Sequence, residues 1–196
     1  MKPCQTLVVA AALSNGAMAA PTFGLAKTAF DATMGMISSV AAPFLPPPSN
    51  EEIERAQMGW RNDTMVVSRF LSTAETMSPQ QLSSEASIAL DAELDELTHK
   101  KVLDRKFTQG FGQDQVVLQA NNVLEGQQTF QFVVDGLKDF KENGETMPPQ
   151  EVSRKIRAIN TDRCGQVLPS IDKYMTAAAG VLQQPEVPKA YRPTNC

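Results

Sequence analysis

The stretch NTDRCGQVLPSIDKYM, residues 160–175, concentrates the residues that most constrain a helical chain. Cys164, Gly165 and Pro169 all fall within it. The apolar residues from Val167 onward recur at steps of three and four, which is the spacing of a buried helix face. Because proline lacks a backbone donor and disfavours a helical conformation at the preceding residue, we expect a kink or a break between Gly165 and Pro169. We therefore predict a structural segment here and not an active one.

Further helices are predicted before this stretch from capping signals and apolar spacing. A serine capping box starts one over residues 49–76, and a Ser-Pro-Gln-Gln start signal opens another from residue 78 to about 102 or 103. A central helix with apolar residues on two faces is expected over 113–141, and Pro148-Pro149 opens the next. The predicted buried stripes are Ile53, Ala56, Trp60, Val67 and Leu71; Leu82, Ala86, Leu90, Leu94 and Leu97; and Val116, Ala120, Val123, Phe130, Val134 and Leu137. With no alternating strand pattern, the sequence predicts an all-α bundle of about five to six helices.

The N-terminus predicts export. A positive start, the apolar run Leu7–Leu13 and an Ala-Met-Ala exit are typical of a secretory signal peptide that is cut after Ala19. The run is too short to cross a membrane, and no later stretch approaches the roughly 20 apolar residues of a transmembrane segment. The apolar helix expected over Pro21–Val40 packs on the domain in our interpretation; a removable pro-segment or an interfacial lipid-seeking helix are the alternatives. The predicted organisation is a signal peptide over 1–19, an apolar helix and Pro-rich connector over 20–48, the bundle over 49–183 and a Pro-rich tail over 184–196.

Export also determines how the three cysteines are interpreted. Cys4 leaves with the signal peptide, so Cys164 and Cys196 remain as an even pair in an oxidising compartment. We expect them to form one disulfide that holds the tail and stabilises the fold by about 3–4 kcal/mol in the chain-entropy model. The alternative is two free thiols. Cys164 shares the apolar stripe of the residues that follow it, so its sulfur is expected to point toward the bundle.

The formal net charge of −4 hides a gradient along the chain. Residues 51–100 carry ten acids and four bases, whereas residues 151–196 carry four acids and seven bases. We expect the two regions to attract each other within the fold. Neither contains the run of like charge that marks a nucleic-acid-binding arm, and a pI near 5.1 argues against a phosphate-backbone binder.

The acidic run Asp91–His99 is the strongest candidate for chemistry. Glu96 and His99 have the E-x-x-H spacing of a di-iron bundle, but His99 is the only histidine in the chain. Di-iron sites, H-E-x-x-H zinc sites and histidine-based triads are therefore excluded. Because the acids alternate with leucines, we predict a solvated helix face, with a weak surface cation site as the alternative. Gly110-Phe111-Gly112 is interpreted as a flexible turn. We predict no catalytic, cofactor-binding or metal-binding residue.

One modification site is predicted. Asn62-Asp63-Thr64 is a glycosylation sequon, and Asn62 points nearly opposite Trp60 on the predicted helix. This favours an exposed acceptor. Met58 and Met65 lie on the same side as Asn62, so occupancy is left open.

The whole arrangement resembles the small secreted α-helical proteins of filamentous fungi, which have no assigned chemistry. The residues that carry the likeness are the Ala-Met-Ala-Ala-Pro processing region and the pattern Arg163-Cys164 followed by Val167-Leu168-Pro169-x-Ile171-Asp172-x-Tyr174. In architecture it is distantly similar to cell-wall galactomannoproteins and hydrophobic-surface-binding proteins. The resemblance implies that the protein is secreted. We expect a non-enzymatic protein that acts by binding another molecule outside the producing cell, with an effector-like factor that acts on a host as one form of this function. The alternative is a carrier or surface binder for lipids.

Overall fold

The computed structural model describes residues 46–110 and 112–196. The predicted signal peptide and the apolar helix over Pro21–Val40 lie outside the described residues. The regular elements are α1 (Asn50–Thr73) with a 3-10 turn (Ala74–Thr76), α2 (Pro79–Phe107), α3 (Gln115–Asn121) with the π segment π1 (Asn122–Gly126), α4 (Thr129–Asn143), and α5 (Pro149–Asp162), which continues through the π segment π2 (Arg163–Val167) into α6 (Leu168–Leu182). All regular structure in these ranges is helical, which confirms the all-α prediction.

Both predicted helix starts are confirmed by their caps. The Ser49 side chain accepts from the Glu52 N–H, and the Glu52 carboxylate accepts from the Ser49 N–H. Ser78 and Gln81 make the same reciprocal pair at the start of α2. These capping boxes satisfy amide donors that a helix start leaves unpaired, so the local sequence alone determines where α1 and α2 begin.

The predicted count of five to six helices is too high for the described part of the chain. It contains four long helices, namely α1, α2, α4 and the continuous run from α5 through π2 to α6, together with the seven-residue α3. Of the kink or break expected between Gly165 and Pro169, the break does not occur, and the helix is instead locally widened in π2. In π2 the Leu168 N–H bonds to the Arg163 carbonyl, five residues back, and this wider turn leads directly into α6. Pro169 lies in the first turn of α6, where its missing donor costs little.

The prediction of one helix over 113–141 is wrong. The chain leaves the helix after π1, and Gln128 takes the left-handed conformation with φ 58° before α4 begins. The break changes which faces are buried: Val117 has no exposed surface, whereas Val116, expected in the core, is 53% exposed. Phe132, expected on a second buried face, is 46% exposed. Helix α4 therefore has one buried face, as an outer helix of a bundle does.

Helix α2 lies between α1 and α4 and carries the central seam of the bundle. Its buried seam alternates steps of four and three along Leu82, Ala86, Ala89, Glu93, Glu96, Lys100, Leu103 and Phe107. This is the spacing of facing positions in helix packing of the coiled-coil type. Three charged residues in succession occupy the middle of the seam, whereas Leu94, predicted to be buried, is 36% exposed.

The C-terminal tail is fastened to the bundle along its length. The predicted disulfide between Cys164 and Cys196 is present, and Cys164 itself is half-buried. The Tyr191 amide donates to the Thr64 hydroxyl, and the Tyr191 carbonyl accepts from the Ser68 hydroxyl. The tail thus lies against α1 by specific bonds as well as through the covalent link.

Candidate functional site

An ionic cluster at the centre of the bundle joins α2 to π2. The Arg163 guanidinium donates through Nη1 to Glu93 Oε2, at 2.5 Å, and through Nη2 to Glu96 Oε1, at 2.9 Å. Trp60 of α1 donates its indole N–H to the other oxygen of Glu96, at 2.8 Å. The side chains of Arg163, Glu93 and Glu96 have no exposed surface. Three helical elements therefore meet at one buried arginine.

Burial controls the protonation of this cluster. It raises the pKa of Glu93 well above its usual range, against the attraction of Arg163, and the neighbouring Glu96 raises it further. Burial also raises the pKa of Glu96, although Arg163 and Trp60 oppose the shift. Burial alone would lower the pKa of Arg163, but the two carboxylates raise it, so the guanidinium stays charged. One arginine charge is thus shared by two buried carboxyl groups.

A second buried group lies one turn further along α2. Lys100 donates to Asp104, Asn121 and Glu125, at 2.6, 2.5 and 2.8 Å, and so ties α2 to α3 and π1. The Tyr174 hydroxyl donates to the other oxygen of Asp104, at 2.6 Å. Burial raises the pKa of Asp104, and Lys100 partly opposes this shift.

An aromatic contact joins the two groups. The ring centroids of Tyr174 and Trp60 are 5.2 Å apart, with the planes tilted by 56°. Trp60 belongs to the Arg163 cluster through its indole N–H, and Tyr174 belongs to the Lys100 group through its hydroxyl. The polar core is therefore a single connected network.

The solvated face predicted for the acidic run is wrong for Glu93 and Glu96, which are buried, and correct for Asp91 and Asp95, which are exposed. An unpaired carboxylate would be strongly unfavourable in the interior, but Arg163, about 70 residues further along the chain, neutralises Glu93 and Glu96. The expected attraction between the acidic and basic regions is realised at this cluster. Four residues of the predicted stripe, Leu82, Ala86, Leu90 and Leu97, are buried as expected, but the prediction missed the charged residues of the seam beside them. The strict four-and-three spacing that ends in Leu103 and Phe107 was the signal that would have found Glu93, Glu96 and Lys100.

An open groove lies at the end of the bundle where α2, α3, α6 and the tail meet. It encloses about 580 Å³. Its lining residues are Phe107, Asp114, Val116, Asp172, Lys173, Thr176, Ala177, Gly180, Val181 and Lys189. Of the four charged residues, Asp172 is paired with Arg192 at 2.7 Å and Asp114 caps α3. The groove is therefore apolar and is bordered by the side chains of two lysines.

The two remaining sequence-predicted positions, His99 and Asn62, lie near each other on α1 and α2. Asn62 is exposed, as expected, and its modification stays a prediction. The Thr64 hydroxyl of the same sequon is buried and accepts from the tail. His99 Nε2 lies 3.3 Å from Asp63 Oδ2 and 3.5 Å from Asp95 Oδ2, and contact with the Asp63 carboxylate raises the pKa of His99. Sequence reasoning paired His99 with Glu96, which turns inward instead.

No family model, no curated protein and no solved structure matches this chain. The likeness to secreted helical proteins of fungi therefore stays a prediction. Along residues 46–110 and 112–196, no helix has both the length and the hydrophobicity needed to cross a membrane. The disulfide is compatible with an extracellular protein, because such bonds persist in oxidising compartments.

Proposed function

We propose that this chain is a secreted non-enzymatic binding protein that acts outside the producing cell. Its partner in this proposal is an extracellular molecule, and a host molecule bound in the manner of an effector is included. The observation that carries the proposal is the contrast between the interior and the groove. The ionic groups of the core bond to one another across three helices, so their chemistry is used in holding the bundle together. The groove, by contrast, offers apolar surface and lysine side chains to another molecule.

A disulfide-fastened bundle suits such a function. The tail contributes Lys189 to the groove. The Lys189 carbonyl accepts from Arg61 of α1, and the next amide, that of Ala190, donates to Asp172 of α6. A groove whose walls are fixed before binding loses little conformational entropy when a partner is bound. This supports recognition by a pre-formed surface.

A second candidate is a carrier or surface binder for lipids associated with the cell wall, and the composition of the groove favours it. Phe107, Val116 and Val181 supply apolar walls, and the Lys173 and Lys189 side chains lie at the same site. This combination fits an amphiphile with an acyl chain and an anionic head group.

Native mass spectrometry of the secreted protein, with and without added palmitate, distinguishes the two candidates. The carrier predicts a co-purifying lipid or a one-to-one palmitate complex. A bare chain that takes up no palmitate contradicts the carrier and leaves the protein-binding function, which a pull-down from host or cell-wall extract then tests.

A groove-filling variant makes the assay site-specific. Gly180 lines the groove, and a Cβ placed there would meet nothing within 4 Å. Gly180→Leu is therefore expected to fold and to block binding. Gly165→Leu is the matched control, because Gly165 is equally unobstructed but lies outside the groove lining. Equal binding by the two variants would show that the ligand binds elsewhere.

A further inference from the structure

Three side chains with metal-binding atoms converge on the surface between α1 and α2. One ligand atom each from Asp63, Asp95 and His99 lies within 4.8 Å of the other two. Asp95 and His99 are four residues apart and so share one face of α2, while Asp63 reaches across from α1. The cluster therefore combines an imidazole nitrogen with carboxylates from two different helices.

Gly59 leaves the space against α1 that the His99 imidazole occupies. A glycine inside a helix costs about 1 kcal/mol relative to alanine, so its presence in the middle of α1 calls for a reason. A Cβ at Gly59 would lie 2.3 Å from His99 Cε1 and 2.4 Å from His99 Nε2, which no real contact allows. The missing side chain is what lets the His99 ring lie against α1 and hold Nε2 between the two carboxylates.

One oxygen of the cluster is buried without a hydrogen-bond partner. Asp63 Oδ2 is shielded from solvent and accepts no hydrogen bond, although His99 Nε2 is its neighbour at 3.3 Å. A buried unpartnered carboxylate oxygen is unfavourable, and a bound cation would satisfy it. The side chain of Asp95, by contrast, is 56% exposed, so an ion could enter from that side.

The spacing of the ligand atoms fits a transition-metal ion. A tetrahedral Zn²⁺ about 2.0–2.1 Å from each ligand sets the ligand atoms about 3.3 Å apart. His99 Nε2 lies 3.3 and 3.5 Å from the two carboxylate oxygens, which matches two of the three ligand–ligand distances; the third, between Asp63 and Asp95, is no more than 4.8 Å. An imidazole favours zinc and its neighbours in the first transition row over magnesium or calcium, which take oxygen ligands.

We propose that Asp63, Asp95 and His99 bind one divalent first-row transition cation, such as Zn²⁺, which links α1 to α2 and keeps at least one solvent ligand. The two carboxylates balance the charge of the ion. The open coordination position lies on the Asp95 side, where the cluster reaches the surface.

The test is isothermal titration of Zn²⁺ into the protein, expressed without a histidine tag, at neutral pH. One saturable site is expected. Asp95→Asn should weaken it more than about 100-fold, since a direct ligand matters more than the outer-sphere partners that are worth 10–100-fold. Asp91→Asn is the matched control, an exposed aspartate one turn earlier on the same helix. Equal affinity in the two variants, or no saturable binding, would overturn the proposal.

Nuclear magnetic resonance gives a second readout that belongs to one residue. Because His99 is the only histidine in the chain, its ring protons can be followed without assignment of any other imidazole. They are expected to shift and saturate at one equivalent of Zn²⁺ in the wild type and in Asp91→Asn. Binding that leaves these resonances unchanged would place the ion elsewhere and refute the site.

Discussion

Replacing Arg163 by methionine should be among the most damaging single substitutions in the bundle. The change keeps an apolar stem of similar length but removes the guanidinium that contacts the buried carboxyl groups of Glu93 and Glu96. Removing one partner of a buried ionic group costs about 3–5 kcal/mol, because the remaining charges are left uncompensated or must take up protons. For a folded body of this size that loss lowers Tm by about 6–20 °C.

Urea unfolding followed by circular dichroism measures the loss. Arg157→Met is the matched control, an exposed arginine on α5 that should change the free energy of unfolding by less than about 0.5 kcal/mol. If Arg163→Met is no more destabilising than Arg157→Met, then Arg163 does not neutralise the core and the description of the cluster is wrong.

A compensated variant tests whether the loss comes from the uncompensated carboxyl groups. Arg163→Met combined with Glu93→Leu and Glu96→Gln removes both buried acids, while the glutamine keeps an acceptor for the Trp60 indole N–H. Apolar replacement of a whole buried ionic group is often neutral or stabilising. We expect the triple variant to be clearly more stable than Arg163→Met alone. A triple variant as unstable as the single one would instead point to lost packing.

Three further predictions concern the tail, the helix contact and pH. Cys164→Ser should lower the free energy of unfolding by about 3–4 kcal/mol and speed amide exchange over residues 184–196. Unchanged stability would show that the Cys164–Cys196 disulfide does not stabilise the fold. Gly59→Ala should destabilise the wild type, because the new Cβ clashes with the His99 ring. In a His99→Ala background the same change should stabilise the protein by about 0.5–1 kcal/mol, since alanine favours the helix. Thermal unfolding of the four proteins of this double-mutant cycle measures both effects, and equal effects would rule out the clash. Burial raises the pKa of Asp162 to about 6, so folding favours its protonated form, and the free energy of unfolding falls as pH rises from about 4 to 6. Asp162→Asn should reduce that fall by about 1 kcal/mol in urea titrations across this pH range. An unchanged fall in the variant would contradict this.

Local chemistry made part of the fold predictable from the sequence. The starts of α1 and α2 follow from capping boxes four residues long, and each is found where Ser49 and Ser78 place it. The disulfide followed from counting the cysteines of a predicted exported chain. Such signals do not depend on which helices pack together, so they can be predicted without the tertiary structure.

Long-range packing decided what the sequence did not reveal. Glu93 looks like a surface residue in its local setting, and only Arg163, 70 residues away, makes its burial tolerable. In the sequence, nothing local distinguishes Arg163 from a surface arginine, whereas its neighbour Cys164 is marked by its residue type. The metal-binding cluster escaped for a similar reason, because Asp63 comes from a different helix than His99. Pro169 predicted an interruption that long-range structure did not require, because the wider turn of π2 lets the helix continue through it.

Both proposed binding functions require export. The intact mass and N-terminal sequence of the protein recovered from the culture medium of the producing cell show whether export occurs. We predict a chain that begins at Ala20 and carries Cys164 and Cys196 in oxidised form. Recovery only from the cell pellet, with Met1 and Cys4 retained, would contradict an extracellular function for this protein.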